Sequence, residues 1–160
     1  MGGADYHWGE AYTPADFLEK HSNAVIQCFT RRRLFRELLS SYADLHGLEG
    51  YVLLRAHGGL RKKKWAFSDF PGGGRGYLVH NFIDGLDGRC LAIFLDICHP
   101  RHAKVHAQKS IVIHPHGKVN LLALIKGQAD LMIYVPGYGY LENSHGLKRA
   151  IGELKENVYD

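Results

Sequence analysis

Two short apolar runs, each followed by a chemically reactive residue, constrain this chain more than any other feature. Residues 51–56 lead into His57-Gly58-Gly59, and residues 90–95 lead into Asp96-Ile97-Cys98-His99. Apolar runs of this length, bounded by glycine and proline, are typical of strands buried in a parallel sheet. In open α/β sheets, reactive groups gather beyond the carboxyl ends of such strands. The sequence therefore predicts that His57 and Cys98 leave two neighbouring strands at the same edge.

Segments with helical spacing accompany these strands. An apolar stripe that includes Leu34, Leu38, Tyr42 and Leu45 predicts a helix before the first strand. Residues 77–86 are predicted to form a short helix before the second strand, and residues 144–158 a C-terminal helix. We expect one α/β domain over residues 1–160, with three layers and a mostly parallel sheet flanked by helices.

Other segments carry weaker signals. Residues 110–114 and 131–135 are predicted to be further strands, whereas residues 1–13 lack periodicity and are predicted to be an irregular arm. Residues 60–76 are basic and then rich in glycine, which predicts a long connection without regular structure. The glycine-rich part, residues 71–76, has the sequence of neither a P-loop nor a dinucleotide-binding turn.

Composition and cysteine spacing narrow the class of protein. Of the 160 residues, 46% are hydrophobic and 22% are charged, which favours a folded globular chain. The apolar stretches are too short to span a bilayer, and the N-terminus lacks the apolar core of a secretory signal. We therefore expect a cytoplasmic protein without a membrane partner. The three cysteines (Cys28, Cys90 and Cys98) cannot all pair within one chain, and without a secretory signal reduced thiols are expected. The absence of a C-x-x-C motif disfavours a zinc ribbon or a thioredoxin-type redox site.

The residues around His57 and Cys98 resemble those of the caspase-like clan of cysteine peptidases, and of metacaspases in particular. Residues 52–58 match a hydrophobic strand that ends in His-Gly. Residues 92–99 match a following strand that ends in Asp-x-Cys-His. The resemblance covers roughly residues 24–100, and it implies a caspase-like fold.

The resemblance also implies roles for individual residues. His57 would be the general base, Cys98 the nucleophile, and the Gly58 N–H an oxyanion donor. Asp96 matches the aspartate that helps to select a basic P1 side chain, so a peptide or protein substrate cleaved after Arg or Lys is implied. No cofactor is required. Pro100 stands where the family often has serine, so an inactive relative of the clan is an alternative.

A second hypothesis is a metal-dependent nuclease or a nucleic-acid-binding protein. Its candidate ligands for zinc or manganese are four imidazoles: His102, His106, His114 and His116. A later tyrosine, Tyr138 or Tyr140, would be the nucleophile in such a nuclease. The formal net charge of +4 and the basic runs at 31–33 and 61–64 suit contacts with phosphates. The competing interpretation is that these histidines are exposed loop residues.

Overall fold

The computed structural model of the chain describes residues 10–12, 32–55, 57–70, 73–97, 104–115, 131–141 and 144–159. These residues contain three helices: α1 (Arg32–His46), α2 (Val79–Leu86) and α3 (Ser144–Tyr159). They also contain nine strands: β1 (Glu10–Tyr12), β2 (Tyr51–Arg55), β3 (His57–Arg61), β4 (Lys64–Phe70), β5 (Gly73–Leu78), β6 (Ala92–Asp96), β7 (Ile111–Pro115), β8 (Leu131–Val135) and β9 (Gly139–Leu141). None of the three helices is both long and apolar enough to cross a membrane.

The larger of two sheets has six strands in the order β1-β2-β6-β7-β8-β9. Its centre is parallel, because β6 pairs in parallel with both β2 and β7. The outer pairings are antiparallel. A connection of only three residues joins β8 to β9, too short for the crossover that a parallel pair would need. The predicted α/β class is therefore confirmed, with a mixed sheet whose parallel part is the three adjacent strands β2, β6 and β7.

An apolar core covers each face of this sheet, giving three layers. Helices α1 and α3 pack together over one face, where Leu38 and Leu154 meet Phe94. Helix α2 and the smaller sheet cover the other face, where Ile83 packs in the same core as Ile93. Because successive side chains of a strand point to opposite faces, β6 contributes to both cores.

The apolar stripe of helix α1 forms the buried face of the helix. Leu38, Leu39 and Tyr42 are almost completely buried, and Leu45 packs against the same core. The helix ends at Gly47, whose φ of +64° is a left-handed conformation that favours glycine. The N–H of Gly47 donates to the carbonyl of Ala43 at 2.8 Å, which satisfies one carbonyl of the last turn.

The prediction of an irregular connection over residues 60–76 is wrong. This segment contributes most of a three-stranded antiparallel sheet of β3, β4 and β5. The turn between β3 and β4 consists of Lys62 and Lys63, with φ of +50° and +67°. A two-residue hairpin turn of this kind requires positive φ at both positions and usually contains Asn-Gly. The usual turn signal is therefore absent from the sequence.

The predicted N-terminal arm is also partly regular. Residues 10–12 form β1, which pairs antiparallel with β2 through Glu10 and Leu53, Ala11 and Val52, and Tyr12 and Tyr51. The rest of the predicted arm, residues 1–9 and 13, lies outside the described residues.

A corner built on Asp87 connects the end of α2 with the segment that enters β7. One carboxylate oxygen, Oδ1, accepts the N–H groups of Lys109 and Ser110, both at 2.8 Å. The other, Oδ2, accepts the N–H of Gln108 at 2.6 Å. Three consecutive amides are thus held by one side chain, so Asp87 determines where β7 begins.

The side chain of Ser110 completes this corner from the buried side. Its hydroxyl accepts the N–H of Gly88 at 2.9 Å and donates to the carbonyl of Cys90 at 2.7 Å. Gly88 has a φ of +85°, and a Cβ at this position would lie 2.9 Å from Cδ of Lys109. Glycine is favoured at residue 88 by this backbone conformation, because other residues rarely adopt a positive φ.

The Lys62–Lys63 turn gives a first prediction. We expect the double variant Lys62→Asn, Lys63→Gly to raise the free energy of unfolding by about 1 kcal/mol, because Asn and Gly tolerate positive φ better than lysine. Urea unfolding measures this change. The control Lys62→Gln, Lys63→Gln removes the same charges but keeps the strained turn, so it should not be stabilised. Equal stabilisation of both variants would contradict the strain argument.

The Asp87 corner gives a second prediction, on pH. Partial burial raises the pKa of Asp87, but the three N–H donors and nearby His106 outweigh it, so the net pKa is lowered. The resulting stabilisation is fully present above the unfolded pKa of about 3.9 and is lost as pH falls through the lower folded pKa.

We expect Asp87→Asn to lower the free energy of unfolding at pH 7 by about 1–2 kcal/mol, a figure reduced for the solvent exposure of the carboxylate. The variant should also show a weaker pH dependence between pH 5 and pH 3 than the native chain. Chemical unfolding across that pH range measures both effects. The assignment fails if native and variant chains lose stability in parallel.

Candidate functional site

The two strands that precede the candidate catalytic residues are neighbours in the larger sheet. Strands β2 and β6 pair in parallel from Tyr51 opposite Ala92 to Arg55 opposite Asp96. Residues 57 and 98 each stand two positions beyond this last pair in the sequence. The expectation that the two apolar runs are adjacent parallel strands is therefore confirmed.

The structure describes the predicted site residues to different extents. His57 is the first residue of β3, and its backbone is opposite Ser68 of β4. Asp96 is the last residue of β6, at the carboxyl end of the parallel strands. Cys98 lies outside the described residues. The chain thus passes directly from the large sheet to the small sheet at His57, and a paired strand holds the backbone of this residue.

Gly58 is a half-buried residue of an edge strand in the small sheet. Strand β3 is an edge strand of that sheet, and Gly58 is opposite Phe67. In a hairpin with a two-residue turn, Arg61 and Lys64 exchange hydrogen bonds, and hydrogen-bonded and non-hydrogen-bonded pairs alternate from there. Gly58 and Phe67 are consequently a non-hydrogen-bonded pair. The N–H of Gly58 therefore points away from β4.

One of the predicted metal ligands, His114, belongs to a buried aromatic cluster. Its side chain in β7 has no exposed surface, so the interpretation of His114 as an exposed loop residue is wrong. Nε2 of His114 lies 2.9 Å from the Tyr140 hydroxyl, and the Trp65 ring is 5.2 Å from the imidazole, edge to face. Pro115 is compatible with β7 because the pairing with β6 ends at Ile113, so no ladder bond to β6 is lost.

Tyr140 links this cluster to the segment before β7. Its hydroxyl oxygen accepts the N–H of Val105 at 3.0 Å. With the His114 proton on Nδ1, the Tyr140 hydroxyl donates to Nε2 of His114. Burial raises the pKa of Tyr140, and the N–H of Val105 opposes this rise without cancelling it. The phenol is therefore neutral at physiological pH and is available as a donor.

His106 forms a second, solvent-exposed pair. Nδ1 of His106 lies 3.0 Å from the hydroxyl of Tyr134, and Tyr134 is opposite Tyr140 in the β8–β9 pairing. The tyrosine rings are 5.4 Å apart in an edge-to-face arrangement. The two histidines are thus each bonded to a different tyrosine, an arrangement that the spacing of the histidines alone did not indicate.

Within the residues that the structure describes, no group of three or more His, Cys, Asp and Glu side chains is arranged to hold a metal ion. Two of the four predicted ligands, His102 and His116, lie outside those residues. Tyr138, one of the two candidate nucleophilic tyrosines, lies in the β8–β9 turn and packs against the core on the α1–α3 face. Tyr140, the other, packs against the core on the opposite face.

Cys90 is an inert thiol. It is 5% exposed and packs in the core beneath α2. Burial raises the pKa of the Cys90 thiol, and the Asp87 carboxylate adds to the rise, whereas a hydrogen bond with Ser110 opposes it. A thiol that is buried and protonated does not act as a nucleophile.

Comparison of the chain with protein-family models, curated proteins and solved structures finds no match.

The contrast between Tyr140 and Tyr134 gives a third prediction. Tyr140→Phe removes the hydroxyl that contacts both buried His114 and the N–H of Val105, so we expect the free energy of unfolding to fall by about 1–3 kcal/mol. Tyr134→Phe is the matched control, because it removes an exposed hydroxyl and should change stability by less than about 0.5 kcal/mol. Urea unfolding at pH 7 measures both. Equal effects would contradict a structural role for the His114–Tyr140 pair.

Proposed function

We propose that this protein is a cysteine peptidase in which His57 is the general base and Cys98 the nucleophile. The observation that carries the proposal is the register of β2 and β6, in which Arg55 is opposite Asp96. Neighbouring strands are about 4.8 Å apart, so the chain segments that lead to residues 57 and 98 leave β2 and β6 side by side, at the carboxyl ends of the two strands. The His-Gly and Asp-x-Cys-His motifs supply the nucleophile and its base at those positions.

The reaction is an acyl transfer in two steps. His57 removes the thiol proton of Cys98, and the thiolate attacks the carbonyl carbon of the scissile peptide bond. The tetrahedral intermediate breaks its C–N bond, and His57 gives the proton to the leaving amine. Water then attacks the thioester, assisted by His57, and releases the carboxylic acid product and the free thiol.

Gly58 is proposed to stabilise the oxyanion, and Asp96 is proposed to select the P1 side chain. The N–H of Gly58, directed away from β4, is the proposed donor to the oxyanion of the tetrahedral intermediate. Asp96 ends the strand that leads to Cys98. A carboxylate at that position favours a substrate with arginine or lysine at P1, since opposite charges attract most strongly where water is excluded.

The first test is selective labelling of Cys98 with iodoacetamide in a Cys28→Ser background. Cys90 is an internal control, because burial and a raised pKa protect its thiol in the folded chain. We expect Cys98 to be labelled at pH 7 in the native protein and Cys90 only after unfolding. The His57→Ala variant should be labelled more slowly at Cys98, since the thiolate loses its base.

The second test is turnover of a peptide with arginine at P1. Cys98→Ala should abolish cleavage, and His57→Ala should lower kcat/KM by about 100- to 10,000-fold. A chelator should have no effect. The proposal fails if Cys98→Ala retains cleavage, or if a chelator abolishes it while iodoacetamide does not.

A further inference from the structure

A cavity of about 350 Å³ lies beneath the β3–β4 turn, between the small sheet, α2 and the segment that precedes β7. Its volume is at the lower end of the range for small-molecule sites. His57 is not among the described residues that line it. The described residues that line it are Lys63, Lys64, Trp65, Val79, His80, Ile83, Lys104 and Val105.

The charged residues among those described as lining this cavity are all lysines. Lys63, Lys64 and Lys104 come from two different segments of the chain, and all three are exposed to solvent. None of the eight described lining residues is acidic. Three ammonium groups around one concave site raise the local concentration of anions.

Helix α2 adds to this positive potential. Val79 and His80, the first two residues of the helix, line the cavity, and the first turn contains no acidic residue. The N-cap residue, Leu78, makes no side-chain capping hydrogen bond. The positive end of the α2 dipole therefore lies at the cavity, and no acidic side chain of the first turn of α2 offsets it.

The strained turn is a separate indication of function. Lys63 adopts a φ of +67° at a position where glycine is usual, and Lys62 beside it also has positive φ. Strained backbone persists where the surrounding structure determines it and is concentrated at ligand sites. Here the strain keeps a lysine at the rim of the cavity where glycine would provide no charge.

Apart from His80, the remaining described lining residues are apolar, and two of them contact His114 or Tyr140. Trp65, Val79 and Ile83 belong to the core on this face of the sheet. Trp65 also contacts the His114 ring, and the N–H of Val105 donates to Tyr140. A ligand with an apolar part would therefore lie against Trp65.

We propose that this cavity binds a small organic polyphosphate of the nucleotide type, with its phosphates among Lys63, Lys64 and Lys104 and its apolar part against Trp65 and Ile83. This site is independent of the peptidase reaction. The site is proposed to bind its ligand without reacting with it.

The fluorescence of Trp65 tests the proposal directly. The chain contains two tryptophans, so a Trp8→Phe background leaves Trp65 as the single reporter. Titration with ATP at low ionic strength should give a saturable change in fluorescence. Inorganic pyrophosphate should bind more weakly than ATP because it lacks the apolar part, and adenosine should not bind. Affinity for ATP should fall as salt is added, because the lysines are exposed.

Three variants separate a built site from general attraction by a basic protein. Lys64→Ala and Lys104→Ala should each raise the dissociation constant for ATP by about fivefold. Lys148→Ala, which removes an exposed charge of α3 that does not line the cavity, should leave it unchanged. Lys62→Asn, Lys63→Gly should weaken ATP binding in a chain that is at least as stable as the native one, which excludes misfolding as the cause.

Four results would overturn the proposal: no saturable signal with ATP or pyrophosphate, equal weakening by Lys148→Ala, binding of adenosine as tight as that of ATP, or tighter binding of a single-stranded oligonucleotide than of ATP. The last result would identify a nucleic-acid surface. Loss of peptide cleavage in Cys98→Ala with unchanged ATP binding would support the independence of the two sites.

Discussion

The fold depends on the carboxylate of Asp87, because this group determines how two parallel strands begin beside each other. Parallel neighbours cannot be joined by a short turn, so contacts outside the ladder help to fix where they start relative to each other. Asp87 holds the three amides before β7, and Ser110 bonds to residues that lead into β6. The hydroxyl of Tyr42 donates to the carbonyl of Lys109 at 2.6 Å, which joins α1 to the same corner. Helices on both faces of the sheet are thus tied to one polar junction.

The edge at which the dyad is proposed lies at the opposite end of these strands. The register set at the start of β6 also determines which residues of β2 and β6 are opposite each other at the far end of the strands. Because side chains alternate between the two faces, it also determines the face of each side chain. The pairing of Arg55 with Asp96 is the outcome of that register. A shift by one residue would place the two motifs at different heights and on different faces. The position of the proposed dyad depends on this β2–β6 register, which the bond from the N–H of Leu91 to the carbonyl of Gly50 supports at the start of the two strands.

The sequence predicts the central elements well and the small sheet poorly, for identifiable reasons. The strand at Leu131–Val135 and the helices α1 and α3 carry strong apolar periodicity, and their observed bounds agree with the predicted ones to within a residue or so. The β3–β4 hairpin was missed because Lys62 and Lys63 replace the usual turn residues, although Trp65 and Phe67 do alternate along β4. Propensity rules describe the residues that usually occupy a conformation, and they fail where a site tolerates strain.

The sequence likewise predicts one part of the candidate site and not another. The adjacency of the two reactive strands could be predicted because it follows from short apolar runs and chain order. The burial of His114 could not be predicted, since it depends on Tyr140 and Trp65, which are distant in sequence.

Strand β6 takes part in both cores, because Ala92 and Phe94 face one core while Ile93 and Leu95 face the other. Removing β6 from the sheet opens both cores together and amounts to global unfolding, so its amides should be the slowest to exchange with solvent. The α2 layer borders one core only and can open locally while the α1–α3 layer stays closed.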